Sequence, residues 1–203
     1  MSGAAACIGV ILAGGQSTRM GRDKAMLDWQ GKPLLTHMRG LLLRAGVQRV
    51  VVSGAYPAFA GIPDLQHQRG PLGGLHGVAG HLPDGDLLVV AVDMPLLRPA
   101  LLTTLLRDRA QRCSVFAGQR LPMRLRLDDA TRRCLDELLA GPAARCSLQI
   151  LQAALGVRTL AAAEATTAFA NCNTPADWAL LQQRAGTGAT DAALPLAARS
   201  GAA

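Results

Sequence analysis

Apolar and polar positions alternate along the chain in two distinct periods, and the switches between them outline the elements. Cys7 to Ala13 is a near-continuous apolar run that ends in Gly14-Gly15, the pattern of a strand buried on both faces feeding a glycine turn. Pro33 to Ala45 then places Leu34, Leu35, Met38, Leu41, Leu42 and Ala45 at helical spacing, with Gly46 as a stop. The β-branched run Val47 to Ser53 predicts a second strand, so the chain opens as a βαβ unit. Leu87 to Val92 predicts the central strand and stops at Asp93.

Between and after these strands the helical signals recur. Gly70 to Gly80 reads as a glycine-rich loop continuing into a short helix, and Leu101 to Ala110 fits a helix after the breaks at Pro95 and Pro99. Ser114 to Leu127 alternates weakly, as a pair of strands would. Asp128 to Leu139 aligns Cys134, Leu135, Leu138 and Leu139 on one helical face before Gly141-Pro142. Leu148 to Leu155 predicts a helix, Val157 to Leu160 a short strand, and Pro175 to Gln183 a last helix entered at Asn173 or Thr174. Strands alternating with helices imply an α/β fold with a mostly parallel, doubly wound sheet in three layers, and such sheets bind ligands at the carboxyl ends of their strands.

The 203 residues suit one domain, over 1–185, and the low-complexity stretch from Gly186 predicts a flexible tail over 186–203. With half the residues hydrophobic and 17% charged, a wholly disordered chain is excluded. No apolar run approaches the ~18 residues of a membrane span, and the amino terminus lacks a positive region before its apolar run, so no membrane is expected and the cytoplasm is. Five scattered cysteines form no C-x-x-C pair, and the four histidines show no ligand spacing, which leaves oxygen donors for any metal.

The net charge of +7 raises the question of nucleic acid. Lys24 and Lys32 are the only lysines among 21 basic residues, the arginines form no run, and aromatics make up 3% of the chain. No nucleic acid partner is therefore expected, since stacking platforms are missing. A positive field of this kind instead favours small polyanions such as nucleotides.

The candidate chemistry comes directly after the first strand. In Leu12 to Lys24, L-A-G-G-Q-S-T-R-M-G-R-D-K, the glycines Gly14, Gly15 and Gly21 let backbone N–H groups approach a ligand, Arg19 and Lys24 bring charge, and Ser17 and Thr18 bring hydroxyls. These are the ingredients of a triphosphate cradle, in an order that matches neither the Walker A loop nor G-x-G-x-x-G. Asp93, directly after the central strand, is held where a carboxylate can meet Mg²⁺ on the phosphates; the competing role is a turn cap before Pro95. Asp23 is a weaker carboxylate candidate, whose competing roles are pairing with a nearby arginine or accepting backbone hydrogen bonds.

Leu12, Ala13, Gly14, Gly15, Ser17, Arg19, Met20, Gly21, Asp23 and Lys24 closely resemble the signature of the molybdenum cofactor guanylyltransferases, L-A-G-G-x-S-x-R-M-G-x-D-K. The resemblance continues through Gly31-Lys32-Pro33-Leu34, Asp64 with Gly70-Pro71-Leu72 and Gly74, Asp93 and Pro95, and Asn171-Cys172-Asn173-Thr174-Pro175. It spans about residues 7–184.

That resemblance implies a Rossmann-like nucleotidyltransferase domain that transfers GMP from GTP to Mo-molybdopterin, with Mg²⁺ as cofactor. It assigns catalysis to Lys24, Arg19 and Asp93, with Asp93 on the metal. GTP would be bound by Leu12, Ala13, Gly14, Gly15, Lys24, Asp64, Gly70, Pro71, Leu72 and Asp93. Asn171 and Asn173 would face the pterin, a task amides suit by offering donors and an acceptor together, although both also suit an N-cap and turn before Pro175. Transient contacts with other cofactor-synthesis proteins or apo-molybdoenzymes belong to the same expectation. Two alternatives stand beside it. A CTP-dependent enzyme of this architecture would resemble L-A-A-G where this chain has Leu12-Ala13-Gly14-Gly15, and a non-catalytic nucleotide-binding partner of molybdoenzymes would have no need of Lys24 and Asp93.

Overall fold

The computed structural model describes residues 7–14, 23–64, 69–142, 146–162 and 166–188. Its centre is a six-stranded sheet. In chain order the strands are β1 (Cys7–Leu12), β4 (Arg49–Ser53), β5 (Gly85–Ala91), β6 (Cys113–Phe116), β7 (Met123–Leu127) and β8 (Val157–Leu160), and β2 (Asp28–Trp29) and β3 (Lys32–Pro33) form a separate small hairpin. The spatial order is β4-β1-β5-β7-β6-β8, with β4, β1 and β5 parallel, β7 antiparallel to both neighbours, and β6 parallel to β8.

Alternation along the strands divides the core into two. Ile11, Leu88 and Val90 point to one face, where they meet α1 (Leu34–Ala45), α3 (Pro99–Arg107) and α6 (Pro175–Gly188). Val10, Leu12, Leu87 and Val89 point to the other, against α2 (Gly70–Ala79), α4 (Asp129–Ala140) and α5 (Leu148–Leu155). All six residues of β1 are buried, as a strand covered on both faces must be. The result is the expected α/β architecture: one mostly parallel sheet between two helical layers.

The expected elements are present, with boundaries moved for local reasons. Helix α1 runs from Leu34 to Ala45 and stops at Gly46, whose φ of 104° is left-handed. Helix α3 begins at Pro99 rather than Leu101, because a proline fits the first helical turn where no N–H is needed, and it ends at Arg107 rather than Ala110. The stretch Gly70 to Gly80 is helical from Gly70 onward rather than loop first, with Pro71 in its first turn. The final helix runs on to Gly188, past Gln183 and into the segment expected to begin the tail; residues 189–203 of that segment lie outside the described residues. Among the described residues, no helix is long and apolar enough to cross a membrane.

Candidate functional site

Three parallel strands end level with one another. Leu12 is in register with Ser53 on one side and with Ala91 on the other. The ladder closes with Ala13 N–H donating to Ser53 O at 3.0 Å and Val92 N–H donating to Leu12 O at 3.1 Å. The chain after β1 and the chain after β5 therefore emerge side by side, with Asp93 just beyond the end of β5.

Lys24 opens a single turn of 3₁₀ helix, Lys24–Met26, whose cap is Asp23: its carboxylate accepts from Ala25 N–H at 3.0 Å. From there Lys24 Nζ lies 3.6 Å from Asp93 Oδ2 and donates to Asn173 Oδ1 at 2.9 Å. Burial of Asp93 raises its pKa above the ordinary aspartate value, and the nearby Lys24 ammonium only partly offsets this. A carboxylate left short of positive charge in a partly desolvated place is a fitting partner for a cation.

The asparagine arm is held by its own hydrogen bonds. Cys172 N–H donates to Asp93 O at 3.0 Å, tying the segment to the end of the central strand. Asp177 Oδ2 accepts from the N–H groups of Asn173 and Thr174, and Thr174 Oγ1 accepts from Asp177 N–H in return, a reciprocal cap on α6. Thr174 is thus the cap residue. Asn173 turns its amide to Lys24, and Asn171 is exposed beside the buried Cys172.

Two residues of this arrangement had no role assigned from sequence. Tyr56, the single tyrosine of the chain, places its hydroxyl 2.9 Å from Asp23 Oδ1 and 3.3 Å from Ala13 O, so one side chain spans both ends of the loop between Ala13 and Asp23. Nothing in its sequence surroundings signals this, because the contact is set by the turn after β4. Asp177 is different: T-P-A-D is a capping box that could have been read directly.

The remaining expected residues divide between exposed or half-buried positions and the core, and two lie outside the described residues. Gly14 is exposed, and a Cβ added there would meet only Ser53 O and Oγ at 3.8 Å, an ordinary contact. Packing therefore does not require glycine at this position, whereas close approach of a ligand to the backbone would. Asp64 is half-buried in the segment after Ile62, which bridges Ser53 at the carboxyl end of β4. Gly70 and Pro71 are exposed at the start of α2, but the Leu72 side chain is sealed in the core against β1, so Leu72 can offer a ligand only its backbone. Gly74 likewise faces the protein, packed against Ser53. Leu12 is a core residue with its carbonyl committed to Val92. Gly15 and Arg19 lie outside the described residues.

Among the described residues no three His, Cys, Asp or Glu side chains gather, so a cation at Asp93 would take one carboxylate and complete its shell with phosphate oxygens and water. The five cysteines are free. Burial pushes the Cys172 thiol up to about 11, with Asp93 adding to the shift, so it is no nucleophile at neutral pH.

A mostly parallel α/β sheet with a glycine turn, a lysine and a carboxylate converging at its strand ends defines a nucleotidyltransferase fold. Comparison with known proteins narrows this. Residues 9–162 match the family described as the MobA-like NTP transferase domain. The chain is 51% identical over 175 residues to the molybdenum cofactor guanylyltransferase of Xanthomonas euvesicatoria pv. vesicatoria (strain 85-10), covering 85% of this chain and 93% of the relative. Among solved structures, molybdopterin-guanine dinucleotide biosynthesis protein A from Archaeoglobus fulgidus shares the fold with a TM-score of 0.71 at 19% identity, covering 89% of this chain and 99% of that one. The CTP complex of CMP:2-keto-3-deoxy-manno-octonic acid synthetase does so with a TM-score of 0.65 at 18% identity, covering 90% and 99%. The chain belongs to the MobA-like NTP transferase family.

Proposed function

We propose that this chain is a molybdenum cofactor guanylyltransferase, transferring GMP from GTP to Mo-molybdopterin and releasing pyrophosphate. The observation that carries the reading is the convergence of Lys24, Asp93 and Asn173 at the carboxyl ends of β1 and β5. The extended identity to the Xanthomonas enzyme supports the choice of substrates.

In this reading the backbone of Ala13 and Gly14, the Gly15 to Arg22 loop and the start of α2 receive the nucleotide, and Lys24 lies along its phosphates. An oxygen of the acceptor's terminal phosphate attacks the α-phosphorus of GTP in line. The bond to the β-phosphate oxygen breaks, and its electron pair leaves with pyrophosphate. That acceptor is already ionised near neutral pH, so no general base is needed. Lys24 neutralises charge that grows on the leaving group, and Asn173 holds the Lys24 ammonium in place. Asp93 would hold Mg²⁺, which when bound screens the phosphate oxygens from one another. Asp93 suits that task because its desolvated carboxylate is only partly compensated by Lys24. Asn171 and the face of Asn173 turned from Lys24 are assigned to the pterin, Asp64 to the guanosine, and Arg19 to the phosphates. The reaction is placed in the cytoplasm, where the acceptor would pass to and from other cofactor-synthesis proteins.

A thermal-shift series with GTP, CTP, ATP and UTP, each with and without Mg²⁺, tests the nucleotide assignment, because a ligand of the folded state raises its apparent stability. The expected result is a shift selective for GTP and reduced in Lys24→Ala. Selectivity for CTP would overturn the product.

A further inference from the structure

The turn that carries Asp93 is held from outside by a side chain to which the proposed reaction assigns no part. Asp93 follows β5, and Met94 and Pro95 beyond it are buried. Neighbouring elements fix this segment: Val92 N–H donates to Leu12 O at 3.1 Å, Cys172 N–H donates to Asp93 O at 3.0 Å, and His37 Nε2 lies 2.9 Å from Pro95 O. The first two donors are backbone groups. The last is a side chain of α1, 58 positions away in sequence.

A carbonyl oxygen only accepts, so the ring nitrogen facing Pro95 carries the proton and the tautomer is Nε2–H. Burial lowers the His37 pKa from 6.5, opposed by the Pro95 hydrogen bond and aided by the Lys32 and Arg44 charges, so near neutral pH the ring has that one proton to give. The ring is also fixed in place. It packs against Trp29 with centroids 5.7 Å apart at 52°, and Trp29 meets Trp178 of α6 edge-on at 5.3 Å. Trp29 is 1% exposed, so its indole is a rigid backing for the imidazole. The inner face of α1 is made by Leu34, Leu35, Met38, Leu41, Leu42 and Ala45; His37 lies beside that face and directs its proton to another element.

The position of the Asp93 carboxylate follows its backbone, because it accepts from the Asp93 N–H. A shift of the turn therefore shifts the carboxylate with it. Asp93 O is taken by Cys172, Met94 O accepts from Leu97 N–H at 3.2 Å, and Pro95 has no N–H, which leaves the Pro95 carbonyl as the point where α1 grips the turn.

We propose that His37 is a positioning residue for the metal-binding carboxylate: by donating to Pro95 O it sets where Asp93 meets Mg²⁺ on the nucleotide, a role that rests on the reading of Asp93 as the Mg²⁺ ligand.

The His37 ring lines a cavity of ≈ 840 Å³ beside Trp29, Pro95 and Leu96, so a shorter or more flexible side chain fits there without overpacking. A glutamine can bring an amide N–H to the place of Nε2, whereas an asparagine carries the same group but falls short of Pro95 O. The test compares wild type, His37→Gln and His37→Asn by calorimetric titration with GTP, with and without Mg²⁺, beside kcat with Mg²⁺. The readout is the factor by which Mg²⁺ tightens GTP binding. His37→Gln keeps the wild-type factor. His37→Asn reduces it about three- to tenfold, the worth of one hydrogen bond, and lowers kcat by about tenfold as the metal is misplaced. GTP binding without Mg²⁺ is equal in all three.

A merely structural role would lower the ligand-free Tm and metal-free GTP binding of both variants with the Mg²⁺ factor unchanged, and that result overturns the proposal. Equal losses in His37→Asn and His37→Gln overturn it as well. Should His37→Asn fail to fold, His37→Leu, which fills more of the ring's place and has no donor, is measured instead. Asp93→Asn separates the two claims. A Mg²⁺ factor that survives in Asp93→Asn, or is absent from wild type, contradicts the reading of Asp93 and the proposal with it; a factor lost in Asp93→Asn but kept in His37→Asn contradicts the proposal alone.

Discussion

The hydrogen bond from Lys24 Nζ to Asn173 Oδ1 joins residues 149 positions apart, at the two ends of the domain. It places an amide from the entry of α6 on the ammonium that also faces Asp93. Lys24 and Asn173 therefore act together, and substitutions at the two should be energetically coupled.

Substituting Lys24→Ala lowers kcat by about 10²–10³, the order expected for removing a group that stabilises developing charge. Asn173→Ala lowers kcat/KM by about tenfold because Lys24 loses its anchor. If Asn173 acts through Lys24, the double variant is no worse than Lys24→Ala; a strictly additive loss in steady-state kinetics would instead show that Asn173 works on the substrate directly.

In the proposed function Asp93 costs the ligand-free protein stability. Its folded pKa is raised by burial, so the charged form opposes folding, and stability is lost as pH rises through that folded value. Asp93→Asn therefore raises the Tm of the ligand-free protein at pH 8 by roughly 2–4 °C, about 1 kcal/mol. The gain narrows as pH falls toward 3.8, the ordinary aspartate value. The same variant loses Mg²⁺-dependent turnover. Melting curves at several pH values, beside an activity assay, check both halves.

Tyr56 holds Ala13 and Asp23, the residues flanking the loop between them, together through its hydroxyl. Tyr56→Phe keeps the ring and removes that bridge, so KM for GTP rises by about three- to tenfold, corresponding to one hydrogen bond of ~1 kcal/mol. kcat changes less, since the hydroxyl orients the loop rather than touching the reacting phosphate. A fall in kcat with KM unchanged would assign Tyr56 to the chemical step.

Gly74 owes its identity to packing. A Cβ there would lie 2.4 Å from Ser53 Oγ, a buried hydroxyl without a hydrogen-bond partner. Gly74→Ala destabilises by about 1–3 kcal/mol, and Ser53→Ala, which removes that oxygen, restores most of the loss. Urea denaturation of the four proteins in the cycle measures the coupling.

Much of the fold was legible in the sequence because the strong strands and the site share one cause. Continuous apolar runs at Cys7–Ala13 and Leu87–Val92 announce buried parallel strands, and the residues just after such strands lie at their carboxyl ends, so Gly14 and Asp93 could be placed before any coordinates. The reversal of β7 could not, because Met123–Leu127 alternates in the same way whichever direction it runs. Nor could the β2–β3 hairpin, two residues on each side, which is too short to show a period. The motif around Gly70 mixed two roles: Leu72 and Gly74 serve the core, while Gly70 and Pro71 are exposed at the helix start. Lys24 and Asp93 stood out as charges in glycine- and proline-marked turns, but Tyr56 carried no local mark, since its partners lie 43 and 33 residues away in sequence.

The most direct test is turnover itself: purified protein, Mo-molybdopterin and Mg²⁺ with either GTP or CTP, scoring pyrophosphate and the pterin dinucleotide together. The account predicts equal amounts of pyrophosphate and the guanine dinucleotide from GTP, little product from CTP, and loss of both products in Asp93→Asn. Dinucleotide formed preferentially from CTP, or undiminished by Asp93→Asn, would contradict it.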